Sequence, residues 1–105
     1  MATRFRVVLI TAPRPKANAL AKGLVSARLA ACVNVVPGVV SHFRWKGKIQ
    51  KDAEALLIAK TAASALPALK RWVEKNHPYD VPEVLALPVE DGSAAYLDWL
   101  EESLR

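Results

Sequence analysis

Residues 32–61 read C-V-N-V-V-P-G-V-V-S-H-F-R-W-K-G-K-I-Q-K-D-A-E-A-L-L-I-A-K-T, two extended runs meeting at Lys46-Gly47-Lys48. The first run, Cys32 to Lys46, is rich in valine, whose branched Cβ packs well on a pleated surface and favours a strand. Pro37-Gly38 interrupts it. Beyond the break, Val39, Ser41, Phe43 and Trp45 alternate with His42, Arg44 and Lys46, the period of a half-buried strand. Gly47 supplies the positive φ that a tight hairpin demands. A three-residue turn, Lys46-Gly47-Lys48, sets Trp45 opposite Ile49 and His42 opposite Asp52, both favourable cross-strand pairs. The return run, Ile49 to Thr61, starts polar and becomes apolar at Ala55-Leu56-Leu57-Ile58-Ala59. The tip of so long a hairpin is expected to project past the rest of the sheet.

The segments on either side complete the plan. Phe5 to Thr11 is β-branched and apolar, and Pro13 halts it, which predicts a strand. Pro15 suits the first turn of a helix, where a missing N–H costs nothing. Ala17, Leu20, Ala21, Leu24 and Arg28 follow at helical spacing, with the stem of Arg28 covering the end of the face and Gly23 letting the helix sit close on a sheet. Pro67 opens a second helix with Leu66, Leu69 and Val73 on its buried side, ending near Asn76 because His77 precedes Pro78. Pro82 to Val89 predicts a fourth strand with prolines at its ends. Ser93 is a good N-cap for a last helix, on which Leu97, Leu100 and Leu104 share a side. The order β-α-β-β-α-β-α, with right-handed crossovers, predicts an α+β, ferredoxin-like βαββαβ fold with a long hairpin and an extra C-terminal helix. Residues 1–105 form one domain, the number a chain this short supports.

Composition narrows the function classes. With 52% hydrophobic and 24% charged residues the chain is not disordered as a whole. One cysteine excludes an intrachain disulfide framework and any multi-cysteine metal site. No run reaches the ~20 apolar residues of a membrane span, and Met1 to Arg6 lack the pattern of a signal peptide. A reducing cytoplasm is the expected location. The charge is strongly segregated: residues 1–51 carry ten bases and no acid, whereas residues 52–105 carry all ten acids and five bases. The bases are scattered over several elements rather than lining one, which favours pairing between halves or between subunits over nucleic-acid binding.

Three strands contain apolar runs instead of alternations: Val7-Val8-Leu9-Ile10, Val33-Asn34-Val35-Val36 and Leu56-Leu57-Ile58. A sheet covered on one face alternates, so these runs predict that both faces are covered. Two crossover helices cover one face, and a short third helix is too small for the other. Another copy of the chain is the expected cover.

Signatures of phosphate-binding loops, zinc proteases, redox dithiols and nucleophile elbows are all absent, and the chain is not expected to be an enzyme. The densest polar segment is His77-Pro78-Tyr79-Asp80-Val81-Pro82-Glu83, stiffened by two prolines. It reads either as a rigid binding segment or as a connector in which His77 and Asp80 satisfy the backbone. Cys32, among small apolar neighbours, is an inert core thiol or, near the surface, a soft ligand for copper or zinc. Lys60 closes an apolar strand, so its charge must reach a strand end, a carboxylate or a bound anion. Trp45 near the hairpin tip suits an interface anchor, and His42 falls on the solvent side. Two histidines and one cysteine cannot define a tetrahedral site within one chain, but symmetry can bring ligands from neighbouring chains together.

Seven segments then occur in an order that closely resembles the CutA divalent-cation tolerance family. They are Val8-Leu9-Ile10-Thr11-Ala12-Pro13, Leu29-Ala30-Ala31-Cys32-Val33-Asn34, Pro37-Gly38, Trp45-Lys46-Gly47-Lys48, Lys60-Thr61, His77 to Glu83 and Tyr96-Leu97-Asp98-Trp99-Leu100. The resemblance implies a ferredoxin-like subunit, similar to the PII signalling proteins, assembled as a homotrimer. It also implies tolerance to copper and other divalent ions, and recurrent polar positions at Cys32, Trp45, Lys60, His77, Tyr79 and Glu83 lining a cleft between subunits. Ile10 stands where some relatives carry a cysteine, Phe43 where tyrosine is common, and Lys46 where an acidic or polar residue is common.

Two functions follow as expectations. In one, a trimer binds copper or a similar divalent ion through Cys32, His77 and Glu83. In the other, a PII-like sensor receives a small anionic metabolite in an intersubunit cleft through Lys60 and Arg28, with Tyr79 and Trp45 shaping the pocket.

Overall fold

The computed structural model describes residues 4–105; Met1, Ala2 and Thr3 of the amino-terminal segment lie outside the described residues. The elements are β1 (Phe5–Pro13), α1 (Arg14–Ser26), β2 (Cys32–Trp45), β3 (Lys48–Ala62), α2 (Leu66–Asn76), β4 (Leu85–Pro88) and α3 (Ala94–Ser103), with a turn of 3-10 helix, Ala63–Ala65, leading into α2. The sheet runs β2-β3-β1-β4 with every neighbour antiparallel. This is the ferredoxin-like order the element sequence predicts. No described helix is long and apolar enough to cross a membrane.

The core lies between the sheet and the first two helices. Val8, Ile10 and Ala12 of β1 and Ala55, Leu57 and Ala59 of β3 meet Ala17, Leu20, Ala21 and Leu24 of α1 and Leu69 and Val73 of α2. The intervening residues, Val7, Leu9, Leu56 and Ile58, fall on the second face by the two-residue period of a strand. α3 covers only one end of that face, where Leu100 buries Phe5 and Ala31. At the opposite edge Leu85 and Leu87 remain 56% and 48% exposed. The second face of a single chain is thus apolar and only partly covered.

Five details differ from the sequence-based expectation. α1 stops at Ser26, and Arg28 stands beyond it with φ of 58°, not on the helical face. Leu29 N–H donates to the Leu24 carbonyl and Arg28 N–H to the Val25 carbonyl, a Schellman cap in which arginine occupies the left-handed position that glycine usually fills. Gly23 makes room for α2 rather than for the sheet: a Cβ there would lie 2.6 Å from the Trp72 ring. The hairpin turn has two residues, not three, with Lys46 and Gly47 both at positive φ as a type I′ turn requires. The register therefore moves by one, so that Trp45 faces Lys48, Arg44 faces Ile49 and Ser41 faces Asp52, while His42 faces Lys51. Finally, β4 covers only Leu85–Pro88, because Pro82 to Val84 still belong to the approach loop.

The break at Pro37-Gly38 is a bulge. Val36 pairs with Leu56 and Val39 with Glu54, so three steps along β2 match two along β3. The extra residue reverses the alternation of β2. Even-numbered residues from Cys32 to Val36 and odd-numbered residues from Val39 to Trp45 consequently share the second face.

Candidate functional site

A pocket of about 780 Å³ opens at the hairpin end of the second face. One wall is the hairpin itself, contributing Ser41, Phe43 and Trp45 from β2 and Gln50, Asp52 and Glu54 from β3. These β3 residues alternate with Ala55 and Leu57, which point to the core. The opposite wall is the α2–β4 loop, from Pro78 to Glu83. His42 also reaches the rim.

His77 fixes the loop. Its ring is buried, 6% exposed, where the chain leaves α2. Nε2 lies 2.8 Å from the Thr11 carbonyl of β1. A carbonyl only accepts, so Nε2 carries the proton and donates. Nδ1 is then free to accept from the Tyr79 N–H at 3.1 Å, which completes the ring's hydrogen bonding. The His77 and Tyr79 rings sit 4.8 Å apart between centroids. Of the two residues expected to satisfy the backbone, His77 does so, whereas Asp80 lines the pocket with Tyr79 and Glu83.

Tyr79 Oη donates to Glu54 Oε2 at 2.9 Å. Burial first, then the bond to Glu54 and its charge, push the Tyr79 hydroxyl up to about 12, so the phenol stays neutral and remains a donor. Glu54 itself is only 5% exposed. No basic side chain pairs with it among the described residues; Arg14 Nε approaches its backbone carbonyl at 3.4 Å, not its carboxylate. Across the pocket, burial and then the nearby Glu54 charge raise the Glu83 carboxyl above its ordinary range. Asp52, Glu54, Asp80 and Glu83 line this pocket together, and no lysine or arginine does. The lining is thus acidic.

The expected ligand sets are divided by the fold. Glu83, Tyr79 and Trp45 come together in the pocket, and His77 supports it from behind. Cys32 does not join them. It pairs with Lys60, six residues and about 20 Å along β3 from Glu54. There Tyr96 of α3 is its neighbour, and burial followed by the field of the Cys32 sulfur raises the Tyr96 hydroxyl. Cys32, His77 and Glu83 therefore do not form a metal site within one chain, and no cluster of three His, Cys, Asp or Glu suited to one metal ion occurs among the described residues. The residues expected to line an anionic cleft between subunits are likewise apart within one chain. Lys60 stays with Cys32, and Arg28 lines a separate concavity of about 470 Å³ with Arg4, Ser64, Glu101 and Arg105. Neither reaches Tyr79 or Trp45, because Arg28 lies past the end of α1 and Lys60 at the far end of β3. Glu54 is the site residue the sequence reading passed over. Its signal was the alternation Gln50, Asp52, Glu54 on the face opposite Ala53, Ala55 and Leu57.

Comparison with known proteins agrees with this architecture. Residues 6–103 match the family model described as CutA1 divalent ion tolerance protein. The divalent-cation tolerance protein CutA of Thermus thermophilus is 53% identical over 98 residues, spanning 92% of this chain and 95% of that one. The chloroplastic protein CutA 1 of Oryza sativa is 53% identical over 100 residues, and the match spans 94% of this chain but 56% of the rice protein. The crystal structure of CutA1 from Oryza sativa superposes with a TM-score of 0.94 at 50% identity, covering 99% of this chain and 96% of that one. That of the Thermus thermophilus protein gives 0.91 at 52%, covering 94% and 97%. With the ferredoxin-like sheet, the long hairpin and the sequence match all coinciding, the chain belongs to the CutA1 divalent ion tolerance family.

Proposed function

We propose that this protein binds divalent cations at the acidic pocket between its hairpin and the His77–Glu83 loop, as a homotrimer acting in metal tolerance. The observation that carries the reading is Glu54, a buried carboxylate with a neutral phenol and no cationic side chain as its hydrogen-bond partner. A cation bound in the pocket supplies the opposite charge that no described side chain provides. Glu83 faces the same space and gains from the same ion. Carboxylate oxygens accept many divalent ions, and copper(II) heads the general order of affinity for such ligands, so it is expected to outbind zinc and manganese here. Full coordination needs more donors than the pocket of one chain groups together. Assembly on the second face supplies them from a neighbouring copy. A free thiol at Cys32 suits a reducing compartment, and a cytoplasmic location is part of this proposal. No catalytic step is assigned.

Calorimetric titration of copper(II), zinc and manganese into the wild type and into Glu54→Gln, Glu83→Gln and Cys32→Ala tests the reading. Loss of about tenfold or more in affinity is expected for the two carboxylate variants and no change for Cys32→Ala. Equal affinities in all four proteins overturn it.

A further inference from the structure

The net charge of the chain resides on one side of the molecule. α1 carries Arg14, Lys16 and Lys22 and no acid, and α2 carries Lys70, Arg71 and Lys75 against Glu74 alone. Outside these two helices nine bases balance nine acids, so the pair of helices holds the whole formal charge of +5. Along the sequence these bases look scattered. The fold gathers them, because α1 and α2 lie side by side on one face of the sheet with the Trp72 ring against Gly23. α1 starts beside Pro13, the partner of Glu54, and α2 ends where His77 reaches the Thr11 carbonyl, so the two run antiparallel. Lys16 stands about two turns before Gly23 and Lys75 about one turn beyond Trp72, which sets both along the seam between the helices. Lys22 and Arg71 adjoin Gly23 and Trp72 in the chain and project outward beside that seam. All six bases are exposed, and none has an ion-pair partner among the described residues.

This surface stays open in the assembly, since the helices cover the sheet face opposite the one where copies meet. Like charges gathered without acids repel one another, and a polyanion relieves that repulsion while releasing its own counterions. Nucleic acid and an acidic bilayer both have the required charge. Three copies joined through their second faces point their helices in different directions, so a flat bilayer meets only one pair. Val25 is also the one large hydrophobic exposed on either helix among the described residues, which leaves little to insert among lipids. A flexible single strand can pass from copy to copy, each contact raising the effective concentration for the next. We infer that the α1–α2 face binds the phosphodiester backbone of single-stranded nucleic acid without reading its bases. The preference for a strand over a bilayer rests on the assembly proposed above; the basic face itself, on the other side of the sheet from the cation pocket, does not.

The experiment is fluorescence anisotropy of short fluorescein-labelled oligothymidylate and oligouridylate, titrated with the full-length protein at about 50 and about 200 mM potassium chloride. Two variants run alongside: Lys16→Gln with Lys75→Gln at the seam, and Lys46→Gln with Lys48→Gln at the hairpin tip, which removes the same charge elsewhere. All four side chains are exposed, and circular dichroism and sedimentation check the fold and assembly of each variant. Binding of either strand is expected to weaken about fiftyfold between the two salt concentrations, the slope for four phosphates held by Lys16, Lys22, Arg71 and Lys75. The seam variant is expected to bind at least tenfold more weakly at the lower salt, with about half that slope, and the hairpin variant to stay within about twofold of the wild type. Equal weakening in the two variants is attraction to net charge and overturns the site. Retention on phosphatidylserine vesicles without binding of either strand overturns it in favour of a bilayer, and binding of neither overturns it outright. A wild type that binds strands through the seam yet sediments as a single chain upholds this inference and removes the assembly instead.

Discussion

Tyr79 and Glu54 illustrate how a buried carboxylate is held in place without its charge being cancelled. The phenol donates one hydrogen bond but stays neutral, its hydroxyl pushed up to about 12 by burial and by Glu54. The folded state therefore holds the phenolic proton more tightly than the unfolded chain does. Stability from this bond is fully present below the ordinary tyrosine value of 10 and is lost as pH climbs from there through about 12. Tyr79→Phe is expected to cost about 1.5–3 kcal/mol below that window, the range for a bond to a charged acceptor. The variant should fall off less steeply above it, so that denaturant melts of the two proteins converge at high pH. Arg28 makes the opposite case, a residue unsuited to its place. A left-handed backbone costs a non-glycine residue about 1 kcal/mol, and Arg28 adopts it to close the Schellman cap. Arg28→Gly is expected to raise the stability by about 0.5–1 kcal/mol in the same melts, part of the gain being lost to the greater freedom of glycine in the unfolded chain. The residues of the pocket were only partly legible in the sequence. His77, Tyr79 and Glu83 stood out because two prolines concentrate polar groups beside them, whereas Glu54 sits in a run of small apolar residues and is marked only by its parity.

Among the elements, periodicity and proline placement recovered every strand and helix, since local backbone preference and burial pattern agreed along most of the chain. What they could not set was how elements meet. A two-residue turn and a three-residue turn differ by one step of register, and Lys46 in the left-handed region is not a choice that propensity favours. The bulge at Pro37-Gly38 was visible as a break, but its reversal of the alternation depends on the pairing partner and not on β2 alone. The contact between α1 and α2 was equally hidden. Gly23 in mid-helix is a propensity defect, and on that ground alone alanine would add about 1 kcal/mol. In the folded protein an added methyl would lie 2.6 Å from the Trp72 ring, inside any permitted approach. Gly23→Ala is therefore expected to destabilise by about 1–3 kcal/mol, the usual range for overpacking, and to lower the thermal midpoint. If the variant is instead more stable, the two helices are not packed through this contact.

The whole molecule poses the question of its second face. Val7, Leu9, Leu56 and Ile58 lie on it, Leu85 and Leu87 are largely exposed beside them, and α3 reaches only the end marked by Phe5 and Ala31. Water against so much contiguous apolar surface is unfavourable by about 25 cal/mol for each Å² left uncovered. The trimer proposed above removes that surface from water and places the hairpins, with their pockets, next to neighbouring copies. Ile58 tests this without touching the core. It pairs with Leu9 and Asn34 on the second face, whereas Leu57 and Ala59 on either side of it face α1 and α2. Ile58→Glu should therefore leave the subunit fold intact, with unchanged circular dichroism, and place a charge where copies meet. The wild type is expected to sediment well above the 11.5 kDa of one chain and to melt at a temperature that rises with protein concentration, because association stabilises only the folded form. The variant should sediment as a single chain with a lower midpoint independent of concentration. It should also bind divalent ions more weakly, since donors from neighbouring copies are lost with the assembly. A wild type that sediments as one chain at micromolar concentration would show that the second face has some other cover, and the shared coordination of the cation would fall with it.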